Sequence, residues 1–317
     1  MALFLTEADV RQLLTMDLAL EAVETAHRAH ALGRAIDIPR QRTRVPTASL
    51  HILQGALLDE GVIGYKAYTA SREGARFLVH LFDGTSGRPL AVIEADYLGM
   101  MRTGAVGGLA AKLLARPEAA TVGLIGAGWQ AQSQLEALSK VRKLERVKLF
   151  SRDAEKRRVA SADFSRRFGI EVIPVESAEV AVRDSDIVVT ITTASSPVVL
   201  GDWLEPGVHI NAAGSNALIR RELDEKAVSR AALVCVDSRA TALREAGDLL
   251  PSLEKGRLHE GQLVELGEIV AGIRPRRADA QSITLFESQG MAIQDLAVAQ
   301  RLFSLASQQG IGAKLPY

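Results

Sequence analysis

Residues 121–125, Thr-Val-Gly-Leu-Ile, are a short apolar run, and Gly126-Ala-Gly128 follows at once. Residues 132–140 then place Leu135 and Leu138 on one helical face, and a second apolar run, Val-Lys-Leu-Phe, fills 147–150. Strand, glycine turn, helix and strand in that order constrain the chain more than any other stretch, because they specify a βαβ unit of a parallel sheet. Gly126 permits a tight turn. Gly128 has no side chain, so a pyrophosphate can approach the backbone while the N–H groups of the new helix face its charge. Ala131 takes the third position of the motif and still lets helix and strand pack closely. The plain alternative is a βα turn that needed glycine for its backbone alone; the strand on either side favours dinucleotide binding.

The residue after the second strand reads the ribose. An NAD site has Asp or Glu there to accept from the 2′-hydroxyl, whereas an NADP site lacks the acid and has Arg nearby. Ser151 and Arg152 occupy this position, with Lys156, Arg157 and Arg158 one turn on. No carboxylate opposes a phosphate and a guanidinium can grip one. NADP(H) is therefore the expected cofactor, with NAD(H) as the alternative. Asp153 is the competing feature, since a shift of two residues would restore an acid. Arg158 reads as part of a solvated helix face.

Alternation of strand and helix over 121–286 gives a doubly wound α/β sheet of Rossmann type. The 317 residues are enough for two domains. Residues 118–290 are expected to form the dinucleotide-binding domain. Residues 1–117 form an α+β substrate-binding and dimerisation domain, to which the C-terminal helix, 291–317, returns. Arg116-Pro117 ends a helix and marks the boundary. Within the larger sheet, Thr190, Thr192 and Thr193 fall at the carboxyl end of a strand, where such sheets hold their ligands.

Lys plus Arg equals Asp plus Glu, at 38 each. Zero net charge argues against nucleic acid or an anionic membrane as the main partner. No apolar run approaches a membrane span, and the N-terminus lacks the basic region of a signal peptide. Cys235 is the single cysteine and lies in the apolar run 233–236, which reads as a buried thiol in a reducing compartment. The cytoplasm is the expected location. His27 and His30 sit three apart with no third ligand near, so no metal site is expected.

In the first domain Thr6 reads as the N-cap of a helix over 7–14, and 16–32 as a second amphipathic helix. Arg40, Arg42 and Arg44 alternate between Pro39 and Pro46 and point to one side of an extended segment. They form either a solvated edge strand or a carboxylate clamp. Runs at 51–58, 62–69, 77–82 and 90–93 read as a meander of antiparallel strands. Lys66 stands among aromatic and apolar neighbours in one of them, on a wet face or, by preference, in a pocket. Residues 95–114 read as largely helical, with a run of small residues that permits close approach to another backbone or a ligand. Arg102 precedes that run, with Thr103 as a candidate N-cap. If the regular helix starts there, its dipole disfavours an arginine, which then has another job.

Several segments together resemble the ornithine cyclodeaminase/mu-crystallin family. They are Arg42-Thr-Arg-Val-Pro46, Lys66, Met101-Arg-Thr-Gly-Ala105, Ile125-Gly-Ala-Gly-Trp-Gln130, Val208-His-Ile-Asn-Ala-Ala-Gly214, Glu245-Ala-Gly-Asp248 and Leu285-Phe-Glu-Ser-Gln-Gly290. The resemblance implies a homodimer paired through strands of the N-terminal domains, and an active site between the two domains. It implies that Arg42, Lys66 and Arg102 hold the carboxylate of a small amino or imino acid, with Lys66 also close to the reacting carbon. The cofactor would lie on Gly126, Ala127, Gly128, Trp129 and Gln130, with Ser151, Arg152, Thr192 and Thr193. Asn216 departs from the pattern, because cyclodeaminases carry an aspartate at this turn and asparagine is no base at neutral pH. Asn216 is then a substrate-binding residue. The expected activity is NAD(P)H-dependent reduction of a cyclic ketimine or 2-oxo acid-derived imine, such as pyrroline-2-carboxylate, to an L-amino acid. One alternative is conversion of ornithine to proline and ammonia. The other is an NADPH- or small-ligand-binding protein without catalysis. Asp248 and Asp295 stand in family-like contexts without an assigned role.

Overall fold

Two sheets, each with its own helices, divide the chain. The computed structural model describes residues 2–316. One unit is Met1–Arg102 with Met291–Tyr317, and the other is Thr103–Gly290. In chain order the first unit contributes β1 (Ala2–Leu5), α1 (Glu7–Leu13), α2 (Met16–Ala31), β2 (Ala35–Val45), β3 (Ala48–Leu57), β4 (Val62–Ser71), β5 (Gly74–Asp83) and β6 (Pro89–Glu94). Helix α3 (Asp96–Leu114) leads into the second unit. There follow β7 (Thr121–Ile125), α4 (Trp129–Val141), β8 (Arg146–Phe150), α5 (Ala154–Phe168), β9 (Glu171–Pro174), α6 (Ala178–Val182), β10 (Ile187–Thr190) and β11 (His209–Ala212). Next come α7 (Glu225–Arg230), β12 (Ala231–Val236), α8 (Arg239–Glu245), α9 (Leu250–Glu254), β13 (Leu263–Glu265), α10 (Leu266–Val270) and β14 (Ile283–Glu287). The chain returns to the first unit with α11 (Ala292–Gln309) and β15 (Ala313–Leu315).

The second unit holds an eight-stranded parallel sheet in the order β13-β12-β14-β11-β10-β7-β8-β9. The order runs outward in both directions from the β7/β10 pair, which makes this the switch point where open α/β sheets bind ligands. The expected doubly wound sheet is therefore present. Its strands are buried on both faces, so they read as continuous apolar runs; Ile187, Val188, Val189 and Ile210 are all fully buried.

The first unit holds a seven-stranded sheet, β15-β1-β6-β5-β4-β3-β2. The expected meander occupies β3 to β6. The flanking β1 and β15 were not expected as strands. They pair antiparallel, Ala2 opposite Leu315, and β1 runs parallel to β6. Strands this short carry no readable alternation, and β15 in addition exists only because the chain end returns to β1. Helix α11 lies across β3 and β4. Gly55 and Gly64 face each other in register there. A Cβ would come within 3.2 Å of Ile293 at Gly55 and 2.9 Å of Leu296 at Gly64, so two glycines set how closely this helix approaches the sheet.

Thr6 and Thr15 cap α1 and α2, as the N-cap pattern at Thr6 predicts. Helix α3 forms over nearly the whole of the expected stretch, 95–114, but not with Thr103 as its cap. It starts at Asp96, because the Glu7 carboxylate accepts from the backbone N–H of Asp96 at 2.6 Å and of Tyr97 at 3.2 Å. Thr103 is thus inside the helix and caps nothing. The division between units falls after Arg102, within α3, and not at Arg116-Pro117. The second half of α3 belongs with α4: a Cβ on Gly104 would sit 2.2 Å from the Ser133 carbonyl oxygen, and one on Gly108 2.8 Å from Ala137 Cβ. The small residues serve helix–helix approach.

Candidate active site

The turn after β7 is built as its glycines require. Gly126 has φ +120°, and a Cβ there would fall 2.5 Å from the Ile191 carbonyl oxygen. Gly128 is the N-cap of α4 and offers no side-chain bond to the first turn. A Cβ on it would meet nothing within 4 Å among the described residues. Open space thus lies before the N-terminus of α4, the arrangement that an anionic diphosphate fills. Ala131 is fully buried against the sheet.

A crevice of about 440 Å³ continues from this turn. Its walls are Gly126, Ala127 and Gly128, then Phe150, Ser151, Arg152 and Lys156, and then the segment Ile191–Val198 with Thr192 and Thr193. Trp129 and Gln130 open α4 but do not line it. Among the described residues no acid lines this crevice. Asp153 is engaged as the N-cap of α5, accepting from Lys156 N at 2.9 Å. The basic cluster splits. Arg157 is buried, donates to the Ser151 carbonyl at 2.7 Å and to Glu176 at 3.0 Å, and stacks over Phe150. Arg158 pairs with Glu155. Arg152 and Lys156 are the basic residues on the wall. The set fits a dinucleotide: glycine turn, helix N-terminus, hydroxyls and cations.

The first unit carries a separate buried cluster. Lys66 is 3% exposed and its Nζ lies 2.6 Å from Asp295 Oδ2. Strand register explains the burial. Leu53, Lys66 and Val79 pair across β3, β4 and β5, and the row continues through Ile93 to Leu5. An ammonium placed in an apolar row needs a carboxylate above it. Asp295 supplies one from the first turn of α11, where the helix dipole favours negative charge. Arg102 Nε donates to the other oxygen, Asp295 Oδ1, at 3.0 Å, and its Nη1 donates to Gln294 Oε1 at 2.9 Å. The Gln294 amide in turn donates to His27 Nε2 at 3.1 Å. Burial, then repulsion by Arg102, lowers the Lys66 pKa to about 7, against the pull of Asp295.

Arg40 also acts on Lys66. A bulge between Ile38 and Gln41 interrupts β2 pairing opposite the Leu53 position, so Arg40 turns inward and is buried while Arg44 is exposed. Arg42 pairs with His51, which stacks on Tyr68, itself stacked on Phe77. By the two-residue alternation of strands this row shares the face of Lys66. Burial and then Arg42 push the His51 pKa down to about 4, so its imidazole is neutral at pH 7.

The family model of ornithine cyclodeaminase/mu-crystallin matches residues 1–310. The chain belongs to the ornithine cyclodeaminase/mu-crystallin family. It is 39% identical over 241 residues to Delta(1)-pyrroline-2-carboxylate reductase of Bacillus cereus, covering 76% of this chain and 74% of the relative. Among solved structures it resembles the Thermococcus litoralis Delta(1)-pyrroline-2-carboxylate reductase in complex with NADH and L-proline, at TM-score 0.94, 34% identity, 99% of this chain and all of that one. It also resembles an archaeal alanine dehydrogenase dimer with bound NAD, at TM-score 0.94 and 33% identity, over all of this chain and 99% of that one.

Within this family chain, the His-Ile-Asn motif on β11 is structural. His209 bonds Asn211 at 2.9 Å, and Asn211 donates to the Gly107 carbonyl at 2.9 Å, tying α3 to the sheet. Asn216 follows in the turn after β11, half-buried. Sequence reasoning missed Gln294 as a partner of Arg102 and His27 as a partner of Gln294, and it named Asp295 without a role. It also missed Glu222, a fully buried carboxylate in the second unit. None has a local sequence signal, because each acts on residues far away in the chain. No helix among the described residues is long and apolar enough to cross a membrane.

Proposed function

We propose that this protein reduces the C=N bond of a small cyclic or 2-oxo acid-derived imine to the L-amino acid with NADPH, pyrroline-2-carboxylate being the first substrate to try. The observation that carries this is the surplus of buried positive charge. Lys66 and Arg102 set two cations against the single carboxylate of Asp295. Uncompensated buried charge is costly, and a substrate carboxylate would offset it. The relatives support the chemistry: the Bacillus cereus and Thermococcus litoralis proteins are pyrroline-2-carboxylate reductases.

When bound on Gly126, Ala127, Gly128, Ser151, Arg152, Thr192 and Thr193, the nicotinamide cofactor supplies hydride for the imine carbon. The chain's own part is to hold the acid and manage one proton. Arg102 and Arg42 take the substrate carboxylate, Arg102 being held in orientation by Asp295 and Gln294. The carboxylate raises the Lys66 pKa above its free value, which keeps the ammonium charged as it donates to the substrate. Lys66 then delivers the proton that completes the new CH–NH unit. Asn216 donates or accepts hydrogen bonds but takes no proton, which favours reduction over ornithine cyclisation.

Purified protein is expected to oxidise NADPH with pyrroline-2-carboxylate, piperideine-2-carboxylate, or pyruvate plus ammonia. Inactivity with all three at high enzyme concentration would overturn the reading. Ammonia release from ornithine without net cofactor change would replace it with cyclodeaminase chemistry. Because Arg152 and Lys156 line the crevice and no acid does among the described residues, NADPH should exceed NADH in kcat/KM by roughly tenfold, about the worth of one charge-assisted hydrogen bond.

The opposite face of the seven-stranded sheet is apolar and open. Ile36 is 50% and Ile63 44% exposed, beside Ile38, Tyr65 and Phe82. Such a patch marks an interaction surface, and the related archaeal alanine dehydrogenase is a dimer. The protein is read as a homodimer paired on this face. Light scattering should give twice the chain mass for the wild type and a monomer for Ile63→Asp; a wild-type monomer at all concentrations would refute the pairing.

A further inference from the structure

Glu222 is fully buried in the second unit, yet its carboxylate accepts four hydrogen bonds from two separate loops. Oε1 accepts from Thr192 N and Thr192 Oγ1, both at 2.6 Å. Oε2 accepts from Thr190 Oγ1 at 2.9 Å and Gly214 N at 2.8 Å. Thr192 is on the wall of the cofactor crevice. Gly214 begins the turn that carries Asn216. Position 214 requires glycine for this approach, since a Cβ there would fall 2.3 Å from the Thr192 carbonyl oxygen and 2.6 Å from Glu222 Oε1.

The clamp is itself held from behind. The backbone N–H groups of Glu222 and Leu223 both donate to Asp248 Oδ1 at 2.6 Å. The Glu222 carbonyl accepts from Val198 at 2.7 Å and Val199 at 3.0 Å, and Val198 again lines the crevice. One glutamate therefore fixes three pieces of chain: the end of β10, the far rim of the crevice, and the turn after β11.

We infer that Glu222 is a positioning residue that locks the Thr192 wall of the cofactor crevice and the Gly214–Asn216 turn into one rigid frame. This rests on the reading of the crevice as a nicotinamide dinucleotide site. Glu222 touches neither substrate nor cofactor in this role; it acts through Thr192 and Gly214. A carboxylate suits the task because it is acceptor-only, and all four partners donate. Glutamine would turn an NH₂ toward two of these donors.

Ionisation follows the same geometry. Burial raises the Glu222 pKa to about 7, with hydrogen bonds from Thr192 working against it and the Asp248 charge adding to it. Glu287 on β14 lies behind Asp248, and burial pushes its carboxyl well above the usual range. Burial raises the Asp248 pKa, and the Arg221 charge works against that rise. The Glu222 value lies above that of a free carboxyl, so by linkage the ionised clamp is the costlier form and the four donors are what hold it; NADPH affinity is expected to change as pH passes through about 7.

The test measures NADPH affinity without any imine, by quenching of protein fluorescence, across a pH series. Glu222→Gln should weaken binding by roughly tenfold at high pH. It should also abolish the change in affinity expected of the wild type as pH passes through about 7. Thr190→Val, which removes one donor to Glu222 at a residue that does not line the crevice, should move affinity the same way by less, and serves if Glu222→Gln does not fold. Variants with reduced thermal stability but wild-type affinity and wild-type pH dependence would reduce Glu222 to a structural residue and overturn the inference. A wild type that binds NADPH yet reduces no imine would refute the proposed reaction and leave this comparison readable.

Discussion

Lys66→Met is expected to lower kcat/KM for imine reduction on the order of 10³-fold, as loss of a charge-stabilising donor in a buried site does, while NADPH affinity stays unchanged. Methionine matches the row of Leu53, Val79 and Ile93 in which Lys66 stands, so the fold should hold. Its removal also leaves Arg102 and Asp295 as a neutral pair. The wild-type pH profile checks the assignment. Lys66 carries its proton below its pKa, which lies at about 7 in the free protein. The kcat/KM should therefore fall as pH rises through that value, and the residual activity of Lys66→Met should lack this limb. The sign for stability is the reverse. The folded pKa is below the unfolded value of 10.5, so the unfolded chain binds more protons between about 7 and 10.5, and folding gains as pH rises across that window. A Lys66→Met enzyme within a few-fold of wild type would remove Lys66 from the chemistry.

Asp295→Asn should produce the largest loss of stability, about 3–5 kcal/mol, because it leaves Lys66 and Arg102 buried against each other without a counter-charge. Urea unfolding measures it. The substitution keeps the shape of the side chain, so lost packing contributes little. Two further results separate charge from simple damage. L-proline, whose carboxylate can enter between the cations, should recover part of the loss. The double variant Lys66→Met with Asp295→Asn should be more stable than the two single effects added together, since only one cation then lacks its partner. Unchanged stability in Asp295→Asn would mean that the cluster is solvated well enough to need no counter-ion, and the argument from surplus buried charge would go with it.

Much of the second unit was legible because its signals are local. The glycine turn, the apolar strands and the threonines at a strand end lie within short windows, and each carries its own physical requirement: a positive φ at Gly126, an open approach at Gly128, burial on both faces of the sheet. The serine after β8 was legible for the same reason. Asp153 could not be judged from the chain alone, because only the start of α5 shows that its carboxylate is engaged as a cap. Thr103 was offered as a cap because the group that does cap α3, Glu7, lies 89 residues away from it in the chain.

Composition and pattern alone determined that this chain builds a doubly wound nucleotide sheet and a second, antiparallel meander bearing cations. Strand register, the β2 bulge and the returning helix α11 decided which of those cations are buried and which carboxylate each one meets. Local pattern can place a lysine on a strand; it takes α11, arriving from the other end of the chain, to put Asp295 above Lys66 and Arg102. The same holds for Glu222, whose partners Thr190, Thr192 and Gly214 converge only once β10 and β11 lie side by side. Period and turn chemistry are properties of neighbouring residues, whereas the charge balance of a buried site is a property of segments that meet only in the folded state.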